Sequence, residues 1–182
     1  YALDDVITIN ALKQMHLSLA KLSPKDEYVI RKNRLEDQEQ MARIKVDGWR
    51  NAYDNIVSSK YLKKLNYEEQ TKRYIASFEE YKDLVLVAVK NKEVLGYSCF
   101  NPQNEKYDAE LVSLYIKPDY LNQGIGTTLF KETAKELGEQ NKKNMIVWCF
   151  KDNQNARVFY EDLGGKVVEE KIVTIGDETY EE

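Results

Sequence analysis

At 182 residues, 42% hydrophobic and 32% charged, the chain is long enough for one domain with a substantial core and ordinary enough in composition to be globular. A net charge of −4 with both signs interspersed, and no basic stripe interleaved with aromatics, argues against a general nucleic-acid partner. No apolar run approaches the roughly 20 residues of a bilayer span, no leader peptide is visible, and Cys99 and Cys149 stand apart without metal or disulfide spacing. A reduced, cytoplasmic protein with no membrane partner, no metal and two buried thiols is therefore expected.

In chain order, the first residue is Tyr1 rather than methionine, so the sequence is read as starting inside a longer chain. Residues 3–22 carry apolar side chains at helical spacing, and Ser23-Pro24 stops the pattern. Residues 1–25 are expected to be an N-terminal helical extension, and 26–182 the main domain. His16, the only histidine, lies in this stretch far from any nucleophile, which leaves Ser-His-Asp, Cys-His and histidine-metal chemistry without a partner.

EYVIRKNR, from Glu27, reads as a strand, and 37–57 as a helix with Met41, Ile44, Trp49, Ala52, Tyr53 and Ile56 on its apolar face. A second helix is predicted over 67–78. LVLVAVK (84–90) and VLGYSCF (94–100), separated by Asn91-Lys92-Glu93, form a predicted hairpin. ELVSLYIK (110–117) is a strand closed by Pro118, which cannot donate to a ladder. Helix follows over 124–137, then the strand MIVWCF (145–150), apolar enough to be buried on both faces. A helix over 153–163 places Ala156, Phe159, Tyr160 and Leu163 on one stripe, and KVVEEKIVTI (166–175) is the last clear strand before a turn at Gly176-Asp177. This order predicts an α+β fold, an α/β/α sandwich with a mixed, mostly antiparallel central sheet and helices on both faces.

The chain has only 8 glycines, yet Gly124 and Gly126 sit one residue apart where a strand gives way to a helix. A tight turn without ligand is one reading. A dinucleotide fingerprint wants a third glycine where Leu129 stands, and a phosphate loop wants Gly-Lys-Ser/Thr, which is absent. The remaining reading is a short anion cradle. Glycine lets the main chain approach a ligand, while the unpaired first-turn N–H groups and the helix dipole favour negative charge. Gln123, Gly124, Ile125, Gly126 and Thr127 would then supply consecutive donors suited to a pyrophosphate.

LYIKPDYLNQGIGTTLF followed by NQNARVFYEDLGG resembles the signature of the GNAT superfamily of acyl-CoA-dependent N-acyltransferases. Asn153, Ala156, Phe159, Tyr160 and Gly164 fall at that family's spacing, whereas Leu121 stands where it usually has Arg or Gln. The resemblance covers the chain from residue 27 onward. It implies transfer of an acetyl group from acetyl-CoA (coenzyme A) to a primary amine, small-molecule or peptide, by direct attack on the thioester. It further implies that the main chain of Leu114, Tyr115 and Ile116 pairs with the pantetheine arm, and that Asn122 through Thr127, with Asn153, hold the cofactor. Tyr160 is then the general acid facing sulfur, its ordinary pKa near 10 suited to protonating a thiolate, and Glu110 the base. Trp49, Tyr53 and Tyr74 are expected wall residues for the acceptor. Pairing of two copies into a homodimer is also in keeping with the family. The alternative is an acyl-CoA-binding sensor of weak or no turnover on the same fold.

Overall fold

The computed structural model describes residues 5–8, as backbone, and 28–182. The helix expected over 3–22, and His16 with it, lies outside those residues except for Asp5–Thr8, which form strand β1 instead of helix. Val6, Ile7 and Thr8 are β-branched, and an antiparallel partner, described below, is available to them. Tertiary pairing overrides the helical spacing there.

Two compact units are present. The first comprises β1, Phe100–Val112 and Lys131–Glu182; the second comprises Tyr28–Cys99 and Ser113–Phe130. The remaining elements are β2 (Val29–Lys32), α1 (Gln38–Ala52), α2 (Ser59–Lys64), α3 (Tyr67–Tyr81), β3 (Val85–Lys90), β4 (Glu93–Asn101), β5 (Glu110–Ile116), α4 (Ile125–Glu139), β6 (Asn144–Val147), α5 (Gln154–Asp162), β7 (Ile172–Ile175) and β8 (Glu178–Glu181). The mixed, mostly antiparallel character expected from the element order is borne out. β1–β6, β2–β3, β3–β4 and β7–β8 are antiparallel, and β5–β6 is parallel.

In the second unit the strand order is β5-β4-β3-β2. β3 and β4 are joined by a two-residue turn, with Lys90 opposite Glu93 and positive φ at Asn91 (49°) and Lys92 (70°), the type I′ geometry that matches strand twist. Gln40 on α1 grips the turn's exit from both sides. Its side-chain carbonyl accepts from Val94 N–H (2.9 Å), and its amide donates to Lys92 O (3.1 Å). Met41 and Ile44 of α1 pack with Val85, Val87, Val89, Val94 and Tyr97, all buried. Complete burial of one such valine is worth about 1.5–3 kcal/mol. At the entrance to α1, Arg31 holds the buried Asp37 in a bidentate pair of 2.7 and 2.9 Å, and Asp37 also accepts from Arg34 N–H (2.7 Å).

The helix predicted over 37–57 ends at Ala52, because the turn formers Asp54 and Asn55 follow, and a separate short helix, α2, begins at Ser59. α3 carries an asparagine cap: Asn66 Oδ1 accepts from Glu69 N–H at 3.0 Å, and Glu68 and Glu69 complement the dipole.

In the first unit, β6 lies between β1 and the start of β5. Its flanking by two strands fits the continuous apolar run Met145–Val147, all buried. The strand expected over 145–150 stops at Val147, although Cys149 and Phe150 remain buried. The last predicted strand, 166–175, also shrinks to β7, Ile172–Ile175, because Glu169 is drawn to Lys106 and Tyr107 of the loop before β5. β7 turns through Gly176 (φ 65°) into β8, with Ile175 opposite Glu178, the glycine-first pattern of a type II′ turn.

Candidate active site

In the second unit, β5 delivers Leu114, Tyr115 and Ile116, half-buried, directly to the glycine segment. Lys117 N–H donates to Leu95 O at 2.8 Å, and Pro118–Tyr120 form one 3₁₀ turn closed by Leu121 N–H to Pro118 O (3.2 Å). Gly96 is required by this approach. A Cβ there would lie 2.6 Å from Ile116 Cδ1 and 2.8 Å from Tyr115 O.

The chain then passes through two left-handed residues, Asn122 (φ 58°) and Gly124 (φ 81°), before α4 begins at Ile125. Asparagine tolerates that conformation because its short amide bonds locally; glycine adopts it freely. Ile125 is buried and anchors the helix end, while Asn122, Gln123 and Gly124 are exposed. The amides of Ile125, Gly126 and Thr127 head a helix and have no carbonyl one turn earlier to accept them. A Cβ built on Gly124 meets nothing within 4 Å, so open space lies over the turn. The first turn is itself braced. Thr128 donates its N–H (3.0 Å) and hydroxyl (3.1 Å) to Gly124 O, and Tyr28 donates its hydroxyl to Thr128 Oγ1 at 2.9 Å. All of the sequence-predicted cradle residues, Asn122 to Thr127, are therefore on one donor-rich turn, exposed at Asn122 to Gly124, that follows Leu114–Ile116 through the Pro118–Tyr120 turn.

Leu121, at the position where the resemblance calls for Arg or Gln, is 43% exposed. Gln123 turns its amide back to Asp119 O at 3.1 Å, bracing the turn. Beside it, Glu93 pairs with Lys117 and accepts from Tyr120 hydroxyl (3.2 Å). The bond from Lys117 holds the Glu93 carboxyl below its usual range, and Glu93 raises Lys117 in return.

The side chain of Tyr115 leaves the main-chain track for a set of rings. Trp49 Nε1–H donates to its hydroxyl at 2.8 Å, the Tyr97 ring lies tilted at 50° with its centre 5.6 Å away, and Tyr74 shares a 2.7 Å hydrogen bond with the fully buried Tyr97 hydroxyl. Burial pushes Tyr115 up to about 12 and raises Tyr74 and Tyr97 as well, so all three stay phenols. Trp49 also meets Tyr53 edge-on at 5.0 Å. Of the expected acceptor-wall residues, Trp49 and Tyr74 thus belong to this packed cluster. The family resemblance put them forward as wall residues, and neither it nor helical spacing could reveal Tyr97 and Tyr115 as their partners, because those reach the cluster from strands.

In the first unit, Glu110 opens β5 opposite Ile146 and accepts from Asn104 Nδ2 at 3.3 Å. The β5–β6 ladder consists of Glu110–Ile146 and Leu111–Val147; Val112 to Ile116 continue β5 beyond it. Asn153, buried, is the N-cap of α5: its Oδ1 accepts from Ala156 N–H at 3.2 Å, and its own N–H donates to Phe150 O at 2.8 Å. The family resemblance marked Asn153 for the cofactor without disclosing this capping duty. Tyr160 is 6% exposed and lies edge-on to Phe159 at 5.0 Å. Its carbonyl receives Leu163 N–H (3.1 Å) and Gly165 N–H (2.9 Å), with Gly164 at φ 89° closing the helix.

A surface cleft of about 510 Å³, lined by Glu39, Arg43, Tyr67 and Lys72 among others, contains none of these residues. Its mixed charge is already spent on internal pairs such as Glu39–Arg43 and Glu68–Lys72. Among the described residues no helix is long and apolar enough to cross a membrane.

Comparison with known proteins converges on one group. The family described as Acetyltransferase (GNAT) family matches residues 49–164, a span that includes the glycine turn and α5. An uncharacterized N-acetyltransferase, YuaI of Bacillus subtilis, is 30% identical over 135 residues, 72% of this chain and 76% of that protein. A spermidine N(1)-acetyltransferase of Thermoplasma acidophilum is 27% identical over 143 residues, 76% of this chain and 88% of its own. Among solved structures, the PaiA N-acetyltransferase from Thermoplasma acidophilum, in complex with coenzyme A, matches with TM-score 0.64 at 23% identity, over 85% of this chain and 96% of that one.

Proposed function

Since the chain belongs to the acetyltransferase (GNAT) family and is by that membership an acyltransferase, we propose that it moves an acetyl group from acetyl-CoA to a primary amine by direct attack on the thioester. The observation that carries this reading is the head of α4. A left-handed Gly124 with open space above it precedes three first-turn amides that have no intrahelical acceptor. Such a turn fits a pyrophosphate, which would accept from the main chain of Gln123 to Thr127, with Asn122 shaping the approach. Dipole and charge together contribute up to about 2 kcal/mol there before individual hydrogen bonds are added.

When bound, the thioester supplies an activated acyl carbon. The main chain of Leu114 to Ile116 would pair with the pantetheine amides, and one N–H there would polarise the thioester carbonyl. Glu110 would take a proton from the incoming ammonium. It sits at a strand end with Asn104 orienting one carboxylate oxygen. Tyr160 would return a proton to the departing sulfur, and Asn153 would hold the cofactor from the α5 side. The spermidine acetyltransferase among the relatives supports an amine acceptor.

Titration calorimetry with acetyl-CoA tests the reading. Binding well below about 1 mM is expected, and no heat at that concentration would refute it. A second reading, an acyl-CoA sensor without turnover, is favoured by the exposed Leu121 and by the Asn153 oxygen already bound to Ala156 N–H. Release of free thiol with any amine in the assay eliminates it.

A further inference from the structure

Lys45 breaks the pattern of its helix. It stands four residues after Met41 and four before Trp49, on the face that α1 turns to the core, and it is half-buried. Next to it Gly48 brings α1 so close to the sheet that a Cβ would lie 3.3 Å from Tyr115 Cδ1. The Lys45 ammonium lies 5.9 Å from the centre of the Tyr74 ring. Among the described residues it has no carboxylate partner. Glu39 is taken by Arg43, and Asp47 by the hydroxyl of Tyr67 at 2.6 Å. Arg73 is the charged group that acts on Lys45, and those that act on Tyr74, Tyr97 and Tyr115 are one another, Trp49 and Cys99; none of them is a carboxylate. Burial, and then Arg73, lower the Lys45 ammonium below its ordinary value. A half-buried cation repelled by a second cation and matched by no anion among the described residues is a costly arrangement for a structural residue. It becomes favourable when a ligand brings the anion.

The ring cluster connects this cation to the main-chain track. Tyr115 contributes its backbone to β5 just before the glycine turn, its ring lies 5.6 Å from Tyr97, Tyr97 is hydrogen-bonded to Tyr74, and Tyr74 lies under Lys45. We infer that Lys45, with Arg73 as outer cation and the Tyr74 ring alongside, receives the carboxylate of the acceptor, so that the substrate class is an amine that also carries a carboxylate rather than a polyamine. This rests on the acetyltransferase reading above. A polyamine would meet two cations and no carboxylate in this cluster; an amino-acid-like acceptor would neutralise Lys45 with a charge-assisted bond.

The test uses amino acids, each paired with its decarboxylated amine, together with spermidine, and reads kcat/KM by thiol release for the wild type, Lys45→Met and Lys45→Arg. Acetyl-CoA and 3′-dephospho-CoA binding are measured in parallel by calorimetry. The expected result is an amino acid favoured at least about tenfold over its amine, a loss of about ten- to hundredfold for that acceptor in K45M with its amine unaffected, and rescue in K45R. Preference for spermidine or for the decarboxylated amines overturns the inference. So does an equal loss for both members of a pair, or no turnover of any carboxylate acceptor by an enzyme that binds acetyl-CoA. Weakened binding of CoA but not of dephospho-CoA in K45M would assign the cation to the donor instead, which also overturns it. Failure of the wild type to bind acetyl-CoA sinks the acetyltransferase reading itself and is thereby distinguishable.

Discussion

Tyr28 and Thr128, separated by 100 positions in the chain, meet in a 2.9 Å hydrogen bond on the first turn of α4. Thr128 passes the bond on, donating its own proton to Gly124 O, so the residue before β2 fixes the carbonyl of the glycine whose turn exposes the helix amides. Removing the first donor loosens the second. Tyr28→Phe should cost about 0.5–1.5 kcal/mol, the ordinary net worth of such a bond. It should also raise the KM for acetyl-CoA more than it changes kcat. Thermal denaturation and initial-rate kinetics check both, and an unchanged KM alongside a lowered melting temperature would remove the link to the cradle.

Two glycines should respond differently to alanine. At Gly96 the added carbon collides with Ile116 Cδ1 and Tyr115 O, so G96A should lose about 1–3 kcal/mol of stability. At Gly124 there is space, and only the left-handed backbone resists, at about 1–2 kcal/mol. The new methyl would, however, project into the region offered to the pyrophosphate. Denaturant unfolding and acetyl-CoA titration should therefore show G124A losing affinity beyond its loss of stability; equal affinity to wild type would place the ligand elsewhere.

Tyr160→Phe retains the ring that packs against Phe159 and deletes only the hydroxyl. If that hydroxyl delivers the proton to sulfur, kcat falls by about 10²–10⁴ while acetyl-CoA binding holds. A variant that turns over at the wild-type rate would reduce Tyr160 to a core residue of the Phe159–Leu163 stripe.

Glu93 provides the pH test. Lys117 holds its carboxyl below the ordinary value, so the pair stabilises the fold above the unfolded-state pKa of about 4.3, and that contribution is lost as pH falls through the lower folded value. Lys117 is raised, so at the alkaline end the contribution is lost only as pH climbs past about 10.4 and through the folded value. Both side chains are more than a third exposed, 39% and 36%, and solvent limits the effect to under about 1 kcal/mol. Melting curves of wild type and Glu93→Gln should differ slightly at neutral pH and converge as pH falls below about 4.3 and through the lower folded value. A gap that persists unchanged at pH 3 would show that the pairing is not its source.

What could be read from the bare chain divides along physical lines. Local rules sufficed for the β3–β4 hairpin, where Asn91 accepts a positive φ, and for the glycine turn, where proline, asparagine and glycine each dictate backbone. The stripe Ala156–Tyr160–Leu163 located α5 to within a residue at each end. Long-range pairing defeated the same rules. Asp5–Thr8 follow a neighbouring strand rather than their own spacing. β7 loses its first half because Glu169 is engaged by Lys106 and Tyr107, more than 60 positions away. Lys45 carries no signal in a linear pattern, because nothing in the sequence says that its ammonium will lie against the Tyr74 ring.

The loop that leads into Glu110 is moored at two points. Asp108 takes the N–H groups of Lys143 (2.7 Å) and Asn144 (3.3 Å) while giving its own to Asn144 Oδ1 (3.0 Å), and Tyr107 reaches Glu169. Between them Asn104 curls the loop on itself, accepting from Lys106 and Tyr107 N–H, and lends its amide to Glu110. The aim of that carboxylate is consequently inherited from the far end of the polypeptide. If Glu110 is the base, changes around residue 169 should slow turnover without touching either reactant, which would make the C-terminal segment a rudder for the chemistry instead of ballast.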